Sequence, residues 1–197
     1  SFSAIVPTEG TLISTDLLNG IISTDSQANT ARVWGGTRLH QLGPALDSYG
    51  LALTNWPDIN YQTLAGAIST STHGSGAALG SLSSMVNELT IATPAGELIT
   101  CSASTRPELF NAARCGLGAL GIITQVNLDT TAAFNLAQTT AVEPLEDVLN
   151  NIDQEKERNR HFEFLAFPHT SQALVVRTNP IDAAAPITTF GEEDPTA

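Results

Sequence analysis

Sulfur, basic charge and long apolar runs are all scarce in this sequence. Two cysteines, Cys101 and Cys115, stand alone among 197 residues, with no CxxC pair and no Cys/His cluster. That excludes a disulfide-dense scaffold and a cysteine-built zinc site, and leaves free thiols as the default. Only eight Lys and Arg stand against twenty Asp and Glu, a formal net charge of −12. Such an excess of acid opposes a general attraction to nucleic acid or to an anionic membrane, keeps a protein soluble, and suits a small neutral substrate better. No run of about 18 apolar residues occurs, so no membrane-spanning helix is expected. The start, Ser1-Phe-Ser-Ala-Ile-Val, has neither an initiating methionine nor a leader's basic and apolar regions. The chain is therefore expected to be cut from a longer parent, and the compartment stays open with the cytoplasm favoured.

What is present is globular: 42% of the residues are apolar and 14% charged, enough for one or two cores. From Ile5 to Val33, short β-rich runs (Thr11–Ser14, Gly20–Ser23, Ala31–Trp34) between turn residues read as strands of a small sheet. Gly35-Gly36 is a break and Thr37 a candidate N-cap. Leu39, Leu42, Leu46 and Tyr49 then come at helical spacing, up to a stop at Gly50 and with a disturbance at Gly43-Pro44. Glu88–Thr93 and Glu97–Cys101 alternate around Pro94-Ala-Gly96, a β-hairpin pattern. Pro107–Arg114 reads as a short helix with Leu109, Phe110 and Ala113 on one face, and Ile122–Leu128 as a strand. The texture changes near Phe134: Glu143–Arg160 is polar and helix-like, followed by β-rich runs at His161–Phe167 and Ala173–Arg177. This change divides the chain into residues 1–134 and 135–197. The tail from Ile181 has no periodicity and reads as a loop.

The segment Ala65-Gly-Ala-Ile-Ser-Thr-Ser-Thr-His-Gly-Ser-Gly76 packs three glycines, two alanines and five hydroxyl residues around one histidine. Small residues let backbone N–H groups approach a ligand and converge on a diphosphate, while Ser and Thr add short donors. A dinucleotide is the natural guest; an ordinary small-residue surface loop has the same composition. His73 reads as a contact residue rather than a general base, since no partner for it is identifiable. His40 reads as a packing or surface residue. His161 and His169 lack the carboxylate or thiol company a metal requires, so no metal site is expected.

Asn55-Trp-Pro-Asp-Ile-Asn-Tyr-Gln-Thr-Leu-Ala-Gly-Ala-Ile-Ser-Thr-Ser-Thr-His-Gly-Ser-Gly76 resembles the flavin-binding segment of the vanillyl-alcohol-oxidase superfamily. The likeness is strongest to the sugar-1,4-lactone and alditol oxidases, with their Gln-Thr, Ala-Gly-Ala and Thr-x-Thr-His-Gly-x-Gly pattern. Leu109–Leu128, Leu-Phe-Asn-Ala-Ala-Arg-Cys-Gly-Leu-Gly-Ala-Leu-Gly-Ile-Ile-Thr-Gln-Val-Asn-Leu, resembles the same family's later flavin-binding strand, and His161–Thr170 resembles the opening of its cap domain. The resemblance implies an α+β fold: a PCMH-type FAD-binding domain, with a mixed or antiparallel sheet flanked by helices, followed by the start of an α+β cap. It implies FAD as cofactor, with Asp58, Thr63, Gly66, Thr70, Ser71, Thr72 and His73 along the flavin and its diphosphate, and Ile123 meeting it through its main chain. Pro57 falls where relatives gate dioxygen, and favours an oxidase. Asp58 replaces a serine common in relatives, near the flavin ring. Ser1-Phe-Ser matches the residues just after the Gly-His that often carries flavin covalently in the family, so a covalent link through a histidine upstream of Ser1 is implied.

The function expected on this basis is an FAD-dependent oxidase of a sugar lactone or polyol, passing a hydride to flavin N5 and electrons to O2 to give H2O2. A dehydrogenase of the same fold using a quinone or cytochrome, and a non-catalytic FAD-binding subunit, are the alternatives. The groups that grip substrate are expected outside these 197 residues, so the rest of the parent polypeptide counts among the partners.

Overall fold

The structure is a computed structural model and describes residues 8–182. It divides into two compact units, one formed by residues up to Ser75 and by Leu79–Ala133, the other by Gly76–Ala78 and the chain from Phe134.

The first unit is built on a five-stranded antiparallel sheet. Its strands are β1 (Ile21–Asp25), β2 (Thr30–Trp34), β4 (Val86–Ala92), β5 (Leu98–Ser102) and β6 (Ile122–Asp129), in the order β1-β2-β6-β4-β5. β3 (Leu51–Ala52) and β7 (Thr131–Ala132) make a separate short pair. Alternation decides which side is buried: Ala31 and Val33, Leu89 and Ile91, and Val126 and Leu128 belong to the core, whereas Arg32 and Glu88 lie outside it, paired at 2.5 Å. The same core takes in Leu39, Leu42 and Leu46 of α1 (Leu39–Asp47), Leu64, Ala67 and Ile68 of α2 (Leu64–Ser69), and Phe110 and Ala113 of α3 (Pro107–Ala113). Leu82 and Met85 of a 3-10 turn at Leu82–Met85 complete it.

Several expectations are corrected here. Thr11–Ser14 has β-rich composition but forms no strand, and among the described residues nothing pairs with it. The strands near the N-terminus belong to the large sheet rather than to a small one of their own. The N-cap of α1 is Arg38, not Thr37, and its N–H donates to Gln41 Oε1 at 3.4 Å. Thr37 is instead buried, its hydroxyl donating to the Trp34 carbonyl at 2.7 Å and accepting the Gly20 N–H at 2.9 Å. α1 ends at Asp47, so Tyr49 falls beyond it and is exposed. Gly35-Gly36 is not a simple break. A side chain on Gly36 would overlap the Thr15 carbonyl, and one on Gly35 the Ile123 carbonyl, so both glycines are required by close backbone approach.

The second unit is a three-stranded antiparallel sheet, β8-β10-β9, from β8 (Asn135–Pro144), β9 (His161–Ala166) and β10 (Gln172–Ile181). The helix α4 (Leu145–Arg158) supplies Val148, which is buried with Ala173 and Val175 and flanked by Leu145, Phe162 and Phe164. β8 takes in residues for which no element was expected, together with the beginning of the helix-like run. Glu143 is a strand residue, not a helical one. Arg177 binds it with two hydrogen bonds, Nη1 to Oε1 at 2.6 Å and Nη2 to Oε2 at 3.0 Å, and reaches Glu155 of α4 from Nε at 2.7 Å and Nη2 at 3.1 Å. This fork holds both carboxyls below the ordinary glutamate range and raises the guanidinium further. Residues of the expected tail beyond Asp182 lie outside the described residues. No described helix is long and apolar enough to cross a membrane.

Candidate functional site

The Ala65–Gly76 segment is not one loop. Its first half is α2, where Leu64, Ala67 and Ile68 at spacings of three and four bury one face. Thr63 caps it: its hydroxyl oxygen accepts the Gly66 N–H at 3.2 Å. Gly66 itself is exposed, and a Cβ there would meet only the Thr63 hydroxyl, at 3.1 Å, so this side of the helix stands open.

α2 stops at a Schellman turn. Thr72 N–H returns to the Ala67 carbonyl at 3.0 Å and Ser71 N–H to the Ile68 carbonyl at 3.1 Å. Ser71 adopts φ 55° there, the left-handed conformation that glycine normally supplies, at a cost of about 1 kcal/mol for a residue with a Cβ. The Thr70 hydroxyl donates to the Gly66 carbonyl at 3.1 Å and lies 3.2 Å from the Thr72 hydroxyl. The remaining end carbonyl, that of Ser69, accepts the N–H of Leu117 at 3.3 Å.

That last bond joins the two sequence blocks. They meet again around Gly35, whose N–H donates to the Thr124 carbonyl at 2.8 Å and whose carbonyl accepts the Ala65 N–H at 2.9 Å. Beyond Gln125, where β2 leaves β6, the edge of β6 is therefore faced by Gly35 and the start of α2. Ile123 is 7% exposed. Its carbonyl packs on Gly35, and its side chain lines a shallow cleft with Ile91, Ala113, Gly116, Gly118, Leu120 and Gly121. Leu117 and Gly118 are both left-handed, at φ 50° and 76°, which turns the exposed Leu117 and Leu120 side chains outward.

With the amides of Ser71 and Thr72 committed to the helix cap, those of His73 and Gly74 come next along the chain. Among the described residues neither has an acceptor, and the Ser71 hydroxyl is unpaired as well. His73 is exposed, and its Nδ1 lies 2.9 Å from the Gly74 carbonyl. A carbonyl only accepts, so Nδ1 carries the hydrogen and a neutral ring presents Nε2 as an acceptor. The His73 backbone N–H, by contrast, is a donor.

Pro57 is buried and Asp58 exposed. They come directly after Asn55 and Trp56. Asn55, a residue not expected at the site, is 3% exposed, donates to the Gly80 carbonyl at 3.0 Å and accepts the Trp56 N–H at 2.9 Å. A side chain on Gly74 would overlap the Trp56 carbonyl, so the segment carrying Pro57 and Asp58 lies against the segment carrying His73. His40 makes a tilted ring contact with Tyr61, centroids 5.7 Å apart, as a packing residue. Burial raises the Cys101 thiol above the ordinary range, while Cys115 is exposed. No Lys or Arg lies between Thr54 and Gly80, so the donors that this stretch itself can offer an anion are neutral ones.

A family model described as FAD binding domain matches residues 1–102, more than half of the chain. The chain belongs to this FAD-binding family. It is a member of the FAD-linked oxidases within it, and a second family model, described as D-arabinono-1,4-lactone oxidase, matches residues 126–194. The FAD-binding chain is 36% identical over 174 residues to the L-gulonolactone oxidase of Bos taurus, covering 88% of this chain and 40% of that one. It is 39% identical over 183 residues to a putative D-arabinono-1,4-lactone oxidase of Neurospora crassa, covering 91% and 33%. To the mitochondrial L-galactono-1,4-lactone dehydrogenase of Brassica oleracea it is 34% identical over 170 residues, covering 86% and 28%. The chain thus spans between about a quarter and two fifths of the length of these relatives. Among solved structures, a cholesterol oxidase from Brevibacterium sterolicum superposes with a TM-score of 0.75 at 19% identity, covering 83% of this chain and 34% of that one. The likeness establishes the α+β FAD-binding fold. The residues present fit the cofactor: the free amides of His73 and Gly74, the open face at Gly66 and the apolar Leu117 and Leu120 offer the polar and apolar contacts that a dinucleotide needs.

Proposed function

We propose that the protein is an FAD-dependent oxidase of a sugar-1,4-lactone or related polyol, and that this chain supplies most of its cofactor-holding half. The observation that carries the reading is the joining of the two blocks, Ser69 carbonyl to Leu117 N–H and Gly35 between Ala65 and Thr124. It gives free donors and an apolar surface to one cofactor. The lactone-oxidase names of the relatives supply the substrate class.

Bound FAD would accept the hydride from the carbinol carbon at N5 and hand the electrons to dioxygen, which leaves as hydrogen peroxide. The chain's own residues hold and shield. The amides of His73 and Gly74 and the Ser71 hydroxyl donate to the diphosphate; Thr70 and Thr72 brace the loop beneath; Thr63 and Gly66 offer the exposed side of α2; Ile123 backs the site from β6. The buried Pro57 narrows the path of dioxygen, and the Asp58 carboxylate stands at the substrate side. The chain spans two fifths or less of the relatives' length, so the groups that grip substrate are assigned to other parts of the parent polypeptide. Two unpaired thiols, Cys101 and Cys115, suit a reducing compartment such as the cytoplasm.

The dehydrogenase names among the relatives favour one other reading, transfer to a quinone or cytochrome. Anaerobic reduction of the full-length protein by a sugar lactone, followed by mixing with air, separates the two. Rapid reoxidation with one peroxide per lactone supports the oxidase, and reduction without reoxidation by air sinks it.

A further inference from the structure

We infer that Asn55 is a positioning residue that latches the Trp56–Asp58 segment to the main chain at Gly74 and Gly80 and thereby holds the cofactor-facing amides in place. The cofactor half of this inference rests on the FAD reading above.

Asn55 is 3% exposed, and a buried primary amide costs stability unless both its ends are bonded. Both are: Nδ2 donates to the Gly80 carbonyl at 3.0 Å, and Oδ1 accepts the N–H of Trp56 at 2.9 Å. A leucine would fill nearly the same volume, so packing alone does not call for an amide. What the amide adds is a bridge between two stretches of main chain 25 residues apart. The Gly74 backbone passes over that bridge so closely that a Cβ there would lie 2.6 Å from Oδ1. Glycine at 74 and asparagine at 55 are thus complementary. One removes the bulk, and the other supplies the bond that keeps the two main chains together. Immediately beyond the contact lie the free amides of His73 and Gly74 on one side and Pro57 with Asp58 on the other. Releasing the bridge frees both at once, so the amides lose the preorganisation that a dinucleotide rewards.

The test compares Asn55→Leu and Asn55→Asp with Leu128→Ala in the full-length protein. Leu128→Ala is a core substitution in β6 that removes neither of the latch's hydrogen bonds and lowers the melting temperature. Two readouts are taken: the FAD dissociation constant by fluorescence titration of the apoprotein, and amide hydrogen exchange of peptides covering residues 70–80. Both Asn55 variants are expected to weaken FAD binding about tenfold, equivalent to about 1.4 kcal/mol, and to speed exchange in that peptide. Leu128→Ala is expected to leave the FAD affinity of the folded protein within about twofold. Asn55→Asp keeps the acceptor for the Trp56 N–H but sets a carboxylate oxygen against the Gly80 carbonyl, so the bond gives way to repulsion between two acceptors, and it decides the matter if Asn55→Leu does not fold. Unchanged exchange overturns the latch. Unchanged FAD affinity in the Asn55 variants, or an equal loss in Leu128→Ala, overturns its cofactor role. A wild-type apoprotein that takes up no FAD refutes the functional reading itself; faster exchange in the variants then still establishes the latch, stripped of its cofactor role.

Discussion

The two units stabilise themselves by different means. In the first, apolar residues from five strands and three helices form one continuous core that includes Leu39, Leu42, Leu64, Leu89 and Leu128, all fully buried. In the second, the buried apolar set among the described residues is only Val148, Ala173 and Val175, and beyond it on β10 stands Arg177, clamped between Glu143 and Glu155. A small core leaves polar contacts a larger share of the work, and directional contacts fail differently from apolar ones. Both tryptophans, Trp34 and Trp56, and both tyrosines, Tyr49 and Tyr61, belong to the first unit. Intrinsic fluorescence therefore reports on that unit alone, while circular dichroism reports on both.

The largest expected effect is in the first unit. Leu128→Ala leaves a cavity between β6 and the helices and should lower stability by about 3 kcal/mol. The tryptophan transition should shift to lower denaturant, and a shift under about 1 kcal/mol would show that the core is loosely packed there. Arg177→Met in the second unit should cost about 2 kcal/mol, because two partly buried carboxylates then face each other without a cation. Its signature is a change in the dichroism transition while the tryptophan transition stays put; a common shift in both would mean that the units unfold as one.

The same cluster should make the second unit the more acid-sensitive. Glu143 and Glu155 have folded-state pKa values below the ordinary glutamate value. Their contribution is thus complete above about pH 4.3 to 5 and is lost as pH falls through the lowered folded values. Acid titration in mild denaturant should show dichroism loss preceding fluorescence loss in wild type, with the gap narrowed in Arg177→Met. Smallest of the set, Thr63→Ala removes the N-cap of α2 and should cost about 1 kcal/mol, read in the tryptophan transition.

The comparison also explains which parts were legible in the sequence. The hairpin of β4 and β5 could be read because one face is buried and the turn carries Gly96 at φ 82°. β8 could not: most of its residues are exposed on both faces, so no alternation records the pairing with β10. Thr11–Ser14 misled in the opposite sense, since β propensity without a partner makes no ladder. At the candidate site the small-residue composition suggested a loop and concealed the segment's first half, where Leu64, Ala67 and Ile68 specify a helix. Gly35 and Asn55 were passed over because a close approach of two main chains leaves no trace in the spacing of either one. The paired blocks were legible as a resemblance, whereas the bond between Ser69 and Leu117 that unites them was not.

That union is the central claim, and FAD titration of the full-length apoprotein tests it most directly. The comparison is between wild type, Gly74→Val in the first block and Gly118→Val in the second, where φ 76° disfavours any side chain. One FAD per chain in wild type, with affinity reduced about tenfold or more by either substitution, is the result expected of a single shared surface. Affinity lost in Gly74→Val but unchanged in Gly118→Val would contradict it.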